Sequence, residues 1–280
     1  MSEKWDLIIE PKRKVFDLQI RDVIRYRDLI ILFVKRDFVT QYKQTILGPL
    51  WFIINPVIST IMYTFVFGNL ANIGTNGIPY LLFYYSSTML WNFFTGTFND
   101  ASNVFINNAN LFGKVYFPRF TVPISNVFNN FMKLFVQFLM LLIFIAYYAI
   151  RYRNVDMSLL VFLFPLLLIW ISAAGTGMGL IISSLTTKYR DLKQLVSFAL
   201  HLAMYATPVV YPISEMPLGF NWINYINPIS APVELFRVWF YGAGNVSCAL
   251  LLSNLAITTV LFLAGLLLFN QNERNFIDVV

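Results

Sequence analysis

The sequence predicts an all-α, polytopic membrane protein with six transmembrane helices, an N-terminal amphipathic interface helix and a re-entrant outer hairpin between spans five and six. Three observations lead there. Charge is scarce: 58% of the 280 residues are hydrophobic and only 12% charged, where an ordinary soluble domain carries about 25% charged residues. Mean hydropathy is +0.65, and apolar stretches recur that reach the roughly 20 residues needed to cross a hydrocarbon core about 30 Å thick. These stretches are continuously apolar rather than alternating. That selects helices over a closed barrel, the other architecture that satisfies every backbone group in lipid.

Residues 1–45 form a charge-dense cytoplasmic segment. Residues 1–20 lack an apolar core, so no cleavable signal peptide is expected. Between Arg21 and Lys43, Val23, Tyr26, Ile30, Val34 and Phe38 recur at helical spacing, while Arg21, Arg25, Asp28, Lys35 and Arg36 lie mostly opposite. The apolar core, Leu29 to Val34, is too short to span. A helix in the interface plane fits, its basic residues facing lipid phosphates. Such a helix either only orients the first span or also docks a cytoplasmic partner.

The transmembrane domain is 46–270, with spans at about 46–70, 78–98, 120–150, 158–185, 194–212 and 247–269, and 271–280 is a cytoplasmic tail. Pro56 makes the first span kinkable. The Asn-rich loop Asn99–Arg119 is too polar to span and has room for a short helix around Val104, Phe105, Leu111 and Phe112; it reads as an ordinary connection or as a lever for a partner. Residues 213–246 are aromatic (Phe220, Trp222, Tyr225, Phe236, Trp239, Phe240, Tyr241) and broken by Pro217, Pro228 and Pro232. Neither half is long enough to span, which suits a re-entrant hairpin, although an interfacial aromatic belt accounts for some of these rings. Glu234 and Arg237 stand at i,i+3, a spacing that allows an ion pair on a helix.

Orientation follows from the loops. With the N-terminus inside, the cytoplasmic segments hold sixteen Lys and Arg, against three (Arg151, Arg153 and Arg237) outside. The bias places both termini of this multi-pass protein in the cytoplasm.

Several features carry no chemistry. Cys248 is the single cysteine, so no disulfide forms within the chain, and one histidine, His201, cannot make a His cluster. His201 is read as a satisfied polar group within the bundle, and Lys133 as a residue that snorkels from the third span. Gly175 and Gly179 lie in a glycine-rich run without the Lys-Ser/Thr of a phosphate loop; their spacing is that of close helix packing. The acidic residues are split between the N-terminal segment and scattered positions on both sides, without a paired-carboxylate motif. A membrane glycosyltransferase or ligase would need such a constellation. No acidic ring or filter-like loop supports an ion channel. Tyr and Trp rings suit a sugar path, since the face is apolar and the rim hydrogen-bonds. Tyr63, Tyr80, Tyr84, Tyr85, Trp91 and Tyr147 are candidate channel-lining aromatics.

In this order, the features resemble the membrane subunit of type-2 ATP-binding-cassette polysaccharide exporters, which move O antigen, teichoic acid or capsule. The resemblance spans nearly the whole chain. It is densest over Arg27–Asn55, in Arg36-Asp37, Tyr42-Lys43-Gln44 and Leu47-Gly48-Pro49-Leu50-Trp51. Phe117-Pro118-Arg119 with Pro123, Thr187-Lys188-Tyr189-Arg190-Asp191, and Asn227-Pro228 with Arg237 are similar to later family loops. The resemblance implies a non-catalytic permease that forms a homodimer with two copies of a separate ATPase. ATP and Mg would be bound by that partner, and this chain would carry no cofactor, no metal and no nucleic acid. The ATPase contact would fall on Arg25, Arg27, Asp28, Arg36, Asp37, Asn107, Asn108, Lys114 and Arg119. The outer gate would be Trp222, Tyr225, Asn227, Pro228, Glu234 and Arg237. The cargo implied is an undecaprenyl-diphosphate-linked glycan, most readily O antigen for lipopolysaccharide. Exporters of teichoic acid, capsule, or a small lipid or drug share the architecture, and a membrane glycan-processing enzyme is the remote alternative.

Overall fold

The computed structural model describes residues 20–43, 45–112, 114–115, 117–152, 157–186 and 191–279. Among them there is no strand. The α-helices are α1 (Ile20–Arg25), α2 (Arg27–Tyr42), α3 (Trp51–Tyr63), α4 (Tyr80–Ser102), α5 (Val104–Asn107), α6 (Ala109–Phe112), α7 (Thr121–Tyr152), α8 (Phe164–Thr186), α9 (Leu192–Ala206), α10 (Trp222–Ile226), α11 (Ser230–Tyr241) and α12 (Cys248–Val279).

Among the described residues, four stretches are long and apolar enough to cross a membrane: Gly48–Leu70, Thr121–Arg151, Leu159–Thr186 and Cys248–Gln271. They coincide with expected spans one, three, four and six. The first starts sharply because Gly48 adopts φ +50 and Pro49 opens the helix behind it. Four residues on from Pro56, the buried Thr60 hydroxyl donates to the Pro56 carbonyl at 2.7 Å. The span then widens into a π-helical turn over Thr64–Leu70, where a Cβ on Gly68 would stand 3.2 Å from the Tyr80 ring.

The expected second and fifth spans correspond to α4 and α9, and each departs from the simple pattern for its own reason. α4 is 23 residues long but carries Ser86, Ser87, Thr88, Thr95 and Thr97. It is the central helix, packed against α7 and α8, so protein rather than lipid surrounds it. The hydroxyls of Ser86, Ser87, Thr95 and Thr97 donate back to carbonyls of their own helix. α9 has 15 residues, or roughly 22 Å at 1.5 Å per residue, short of the hydrocarbon thickness.

The core is an aromatic and aliphatic cluster around α4, with Leu82, Phe83, Tyr84, Tyr85 and Leu90 fully enclosed. Glycines set how closely its helices approach. A Cβ on Gly179 of α8 would stand 2.5 Å from the Phe98 carbonyl oxygen of α4, and Gly175 meets the Thr97 hydroxyl of the same helix. On the other side of α8, a Cβ on Gly177 would be 2.6 Å from Cα of Phe262, and Gly265 of α12 abuts the Gly177 backbone. The expected small-residue packing is therefore real, and it extends to a second helix pair. A smaller cluster closes the opposite end of the bundle, where Phe105 stacks on Phe269 at 5.0 Å and Phe33 of α2 meets Phe117 at 5.9 Å.

α3 and α9 stand at the margin. α9 has no buried residue, and α3 buries only Pro56 and Thr60. They touch where the Tyr63 hydroxyl lies 3.7 Å from Met204 Sδ.

Candidate functional site

The segment from Thr207 to Asn254 is held by two buried polar hubs. In the first, α11 turns Glu234 and Arg237 to one side, and Arg237 Nη1 donates to Glu234 Oε2 at 2.9 Å with both side chains 1% exposed. Nη2 donates to the Ser87 hydroxyl of α4 at 2.8 Å and to the Pro208 carbonyl at 2.6 Å. The guanidinium sits 3.8 Å over the Phe83 ring. The Asn245 amide donates to the other Glu234 oxygen at 3.4 Å. Gly244, at φ +130, leaves room for that carboxylate, since a Cβ there would approach it to 3.0 Å. Four segments thus meet on one ion pair. A buried pair is stable only when its remaining donors and acceptors are also met, and here all but Arg237 Nε are.

The second hub is Asn254 of α12. Its amide donates to the Asn224 and Tyr225 carbonyls at 2.9 and 3.2 Å, and its oxygen accepts from the Ala231 amide at 2.8 Å. One side chain therefore ties the end of α10 to the start of α11. Asn227 bridges the two hubs, donating to the Thr207 hydroxyl at 2.7 Å and accepting from the Ile229 amide at 3.1 Å. Of the expected gate residues, Pro228, Glu234 and Arg237 are buried, Asn227 is half-buried, and Trp222 and Tyr225 are exposed. Glu234 and Arg237 were legible as an i,i+3 pair. Asn254, Ser87 and Pro208 were missed, although an amide inside an apolar span is a signal in itself.

At the opposite end, Arg25, Arg27, Asp28, Arg36, Asn107 and Lys114 are exposed, and Asp37 and Asn108 half-buried. Arg36 Nε donates to Asp37 Oδ1 at 2.7 Å, and its guanidinium lies 4.9 Å from the Phe33 ring. Two expectations need correction here. Arg119 is buried and stacks on Phe112 at 5.5 Å, so it braces the loop from within. The helix over 21–43 is not two-sided: it breaks at Tyr26, buries Val23 and Phe33, and leaves Ile24, Ile31 and Leu32 exposed. Thr187–Arg190 lie outside the described residues.

The candidate aromatics divide. Tyr84, Tyr85 and Trp91 are enclosed in the protomer core and line no open path; composition does not tell which face of a helix points inward. Tyr63 and Tyr80 are half-buried and Tyr147 is exposed. Lys133 does not simply reach for the surface, because Nζ approaches Asn130 Oδ1 at 3.4 Å while Asn130 donates to Asp100 at 2.7 Å. His201 is not a buried group either. It is exposed on α9, its Nδ1 2.7 Å from the Ser197 carbonyl.

Sequence reasoning also missed a stripe. Lys193, Ser197, His201 and Tyr205 recur every four residues on α9 and all are exposed, so one face of this peripheral helix is polar along its length.

A family model described as ABC-2 type transporter matches residues 28–241. An O-antigen export system permease protein RfbA from Klebsiella pneumoniae is 29% identical over 256 residues, covering 90% of this chain and 95% of that protein. A permease of the same name from Myxococcus xanthus is 24% identical over 264 residues, covering 93% and 98%.

Proposed function

The chain belongs to the ABC-2 type transporter family, and from that premise we propose that it is the membrane subunit of an ATP-driven exporter of a lipid-linked polysaccharide. The cargo of this reading is O antigen carried on undecaprenyl diphosphate, moved across the bacterial inner membrane. The relatives named as O-antigen export permeases support it, since the match runs over nine-tenths of both chains.

The observation that carries the reading furthest is the α9 stripe. A His turned toward lipid is costly, and intramembrane polar residues face a bundle interior or a water-filled cavity; Ser197 and Tyr205 continue the face of His201, and Lys193 stands at its cytoplasmic end. α9 buries no residue in its own protomer, and its neighbour α3, which buries only Pro56 and Thr60, bears Asn55, Ser59 and Tyr63 at the same fourfold spacing. A second copy of the chain placed against α3 and α9 turns both polar faces inward and makes a channel between the protomers. In this arrangement six helices span the membrane, with α4 and α9 as the second and fifth. Both termini lie in the cytoplasm in this reading, which the Lys and Arg distribution supports.

The permease supplies the path and a separate ATPase the energy. Two ATPase copies, binding ATP and Mg, would dock on the exposed face of α1–α2 and on the 103–115 loop. The test is reconstitution of the chain in proteoliposomes with and without the ATPase. Lipid-linked glycan should reach the far leaflet only with the ATPase and ATP. Stoichiometric transport by this chain alone sinks the reading.

A further inference from the structure

At the end of α9 nearest Thr207 the chain forms an open groove of about 660 Å³, within the range of about 300–1,000 Å³ that small-ligand sites occupy. Asn72 lines it from the short 71–77 turn, Tyr205 from the last turn of α9, and Tyr211, Glu215 and Phe220 from the segment before α10. Two contacts clasp the walls together. The Ser214 hydroxyl donates to Asn76 Oδ1 at 3.0 Å, and Gly74 packs so closely on Glu215 that a Cβ would stand 2.9 Å from its carboxylate oxygen. Asn72 and Asn76 hold φ of 52 and 53, a left-handed conformation in which Asn is several-fold enriched. The turn is thus shaped to meet the hairpin.

We infer that this groove is a subsite for one or two neutral sugar rings of the emerging glycan. The inference rests on the export function proposed above and adds where, and to what chemistry, the chain binds. Tyr205, Tyr211 and Phe220 offer apolar ring faces, and two of them add a hydroxyl at the rim. Tyr205 and Phe220 are both more than half exposed, at 54% and 57%, so their faces are open to a ligand. Glu215 and Asn72 supply an acceptor and an amide for sugar hydroxyls. An acyl chain would leave those polar groups against hydrocarbon without partners, which is costly. Among the described residues no cation pairs with Glu215. Its charge therefore turns away uronic acids and phosphates. Tyr205 is also the last member of the α9 stripe, so a glycan moving along that face arrives at the groove.

The test uses the permease–ATPase complex in nanodiscs, with maltose as the neutral probe and digalacturonate as the acidic one, read by saturation-transfer difference NMR. Maltose should receive saturation, and Tyr205→Ala or Phe220→Ala should reduce it about five-fold. Digalacturonate should give about tenfold less than maltose, and Glu215→Gln, which keeps shape and hydrogen bonding, should close most of that gap. A maltose signal unchanged in both aromatic variants overturns the proposal, as does equal saturation of the two probes in the unaltered complex. ATP-dependent export that persists while maltose fails to bind removes this subsite and leaves the export function standing; a complex that moves no lipid-linked glycan removes the export function itself.

Discussion

Replacing Arg237 with methionine removes the cation from the first polar hub and keeps most of its volume. Three charged hydrogen bonds go with it, to Glu234 Oε2, the Ser87 hydroxyl and the Pro208 carbonyl, at 2.9, 2.8 and 2.6 Å. The consequences for the partners are unequal. Ser87 keeps its bond to the Phe83 carbonyl at 2.8 Å. The Glu234 carboxylate, 1% exposed, is left with one amide at 3.4 Å. Breaking a buried pair from one side costs about 3–5 kcal/mol, because the surviving charge is uncompensated. At roughly 2–4 °C per kcal/mol for a chain of this size class, the melting temperature should fall by about 6–20 °C. Glu234→Met combined with Arg237→Met removes both charges and should recover most of the loss, short of about 1–3 kcal/mol for the stranded Pro208 carbonyl. The assay is thermal unfolding of the purified permease in one detergent, followed by tryptophan fluorescence, for the two single variants and the double. A single Arg237→Met variant within about 1 kcal/mol of the parent would refute the reasoning, and so would a double variant less stable than either single one.

The other expectations concern separate parts of the molecule. Gly179→Leu drives a side chain into the Phe98 carbonyl at the α4–α8 contact and should cost at least about 1–3 kcal/mol, seen as loss of the monodisperse peak in size-exclusion chromatography; an unshifted peak and melting temperature would contradict the packing. Asn254→Leu strips three hydrogen bonds from α10 and α11 and should lower stability by roughly 1–3 kcal/mol. The same change should quicken hydrogen exchange over 224–231, and unaltered exchange there would deny Asn254 its organising role. Arg36→Glu lies on an exposed surface pair and should alter stability by less than about 1 kcal/mol, yet cut ATPase copurification several-fold if α2 is the docking face. Full copurification would move that contact elsewhere.

How much of this was readable in the chain depends on what each element must satisfy. Spans facing lipid have to be continuously apolar, so those at Gly48–Leu70, Thr121–Arg151, Leu159–Thr186 and Cys248–Gln271 stand out by composition. α4 faces protein on nearly all sides and can carry a Ser-Ser-Thr run, which blurs the same signal. The Glu234–Arg237 pair is local and was visible. Its anchor on Ser87 is 150 residues away, and no spacing rule connects them. Gly175 and Gly179 announce a close contact but not its partner, and the meeting of Gly177 with Gly265 depends on which helices become neighbours. Tyr84, Tyr85 and Trp91 were channel candidates because aromatic rings suit sugars, whereas the facing of a central helix is settled by its neighbours. The α9 stripe was in the sequence throughout. Lys193 was counted with the cytoplasmic cations and His201 was read alone, and only with Ser197 and Tyr205 do they mark a face.

The glycine contacts that join α8 to α4 on one side and to α12 on the other have a mechanical consequence. Where backbones touch without intervening side chains, there are no rotamers to rearrange and no cushion to shear. The three helices must move as one rigid block. A stroke delivered at the basic end by the proposed ATPase would then be taken up at the loosely held periphery, by rocking of α3 and α9, while the block holds the ion-pair hub in register with the opposite rim.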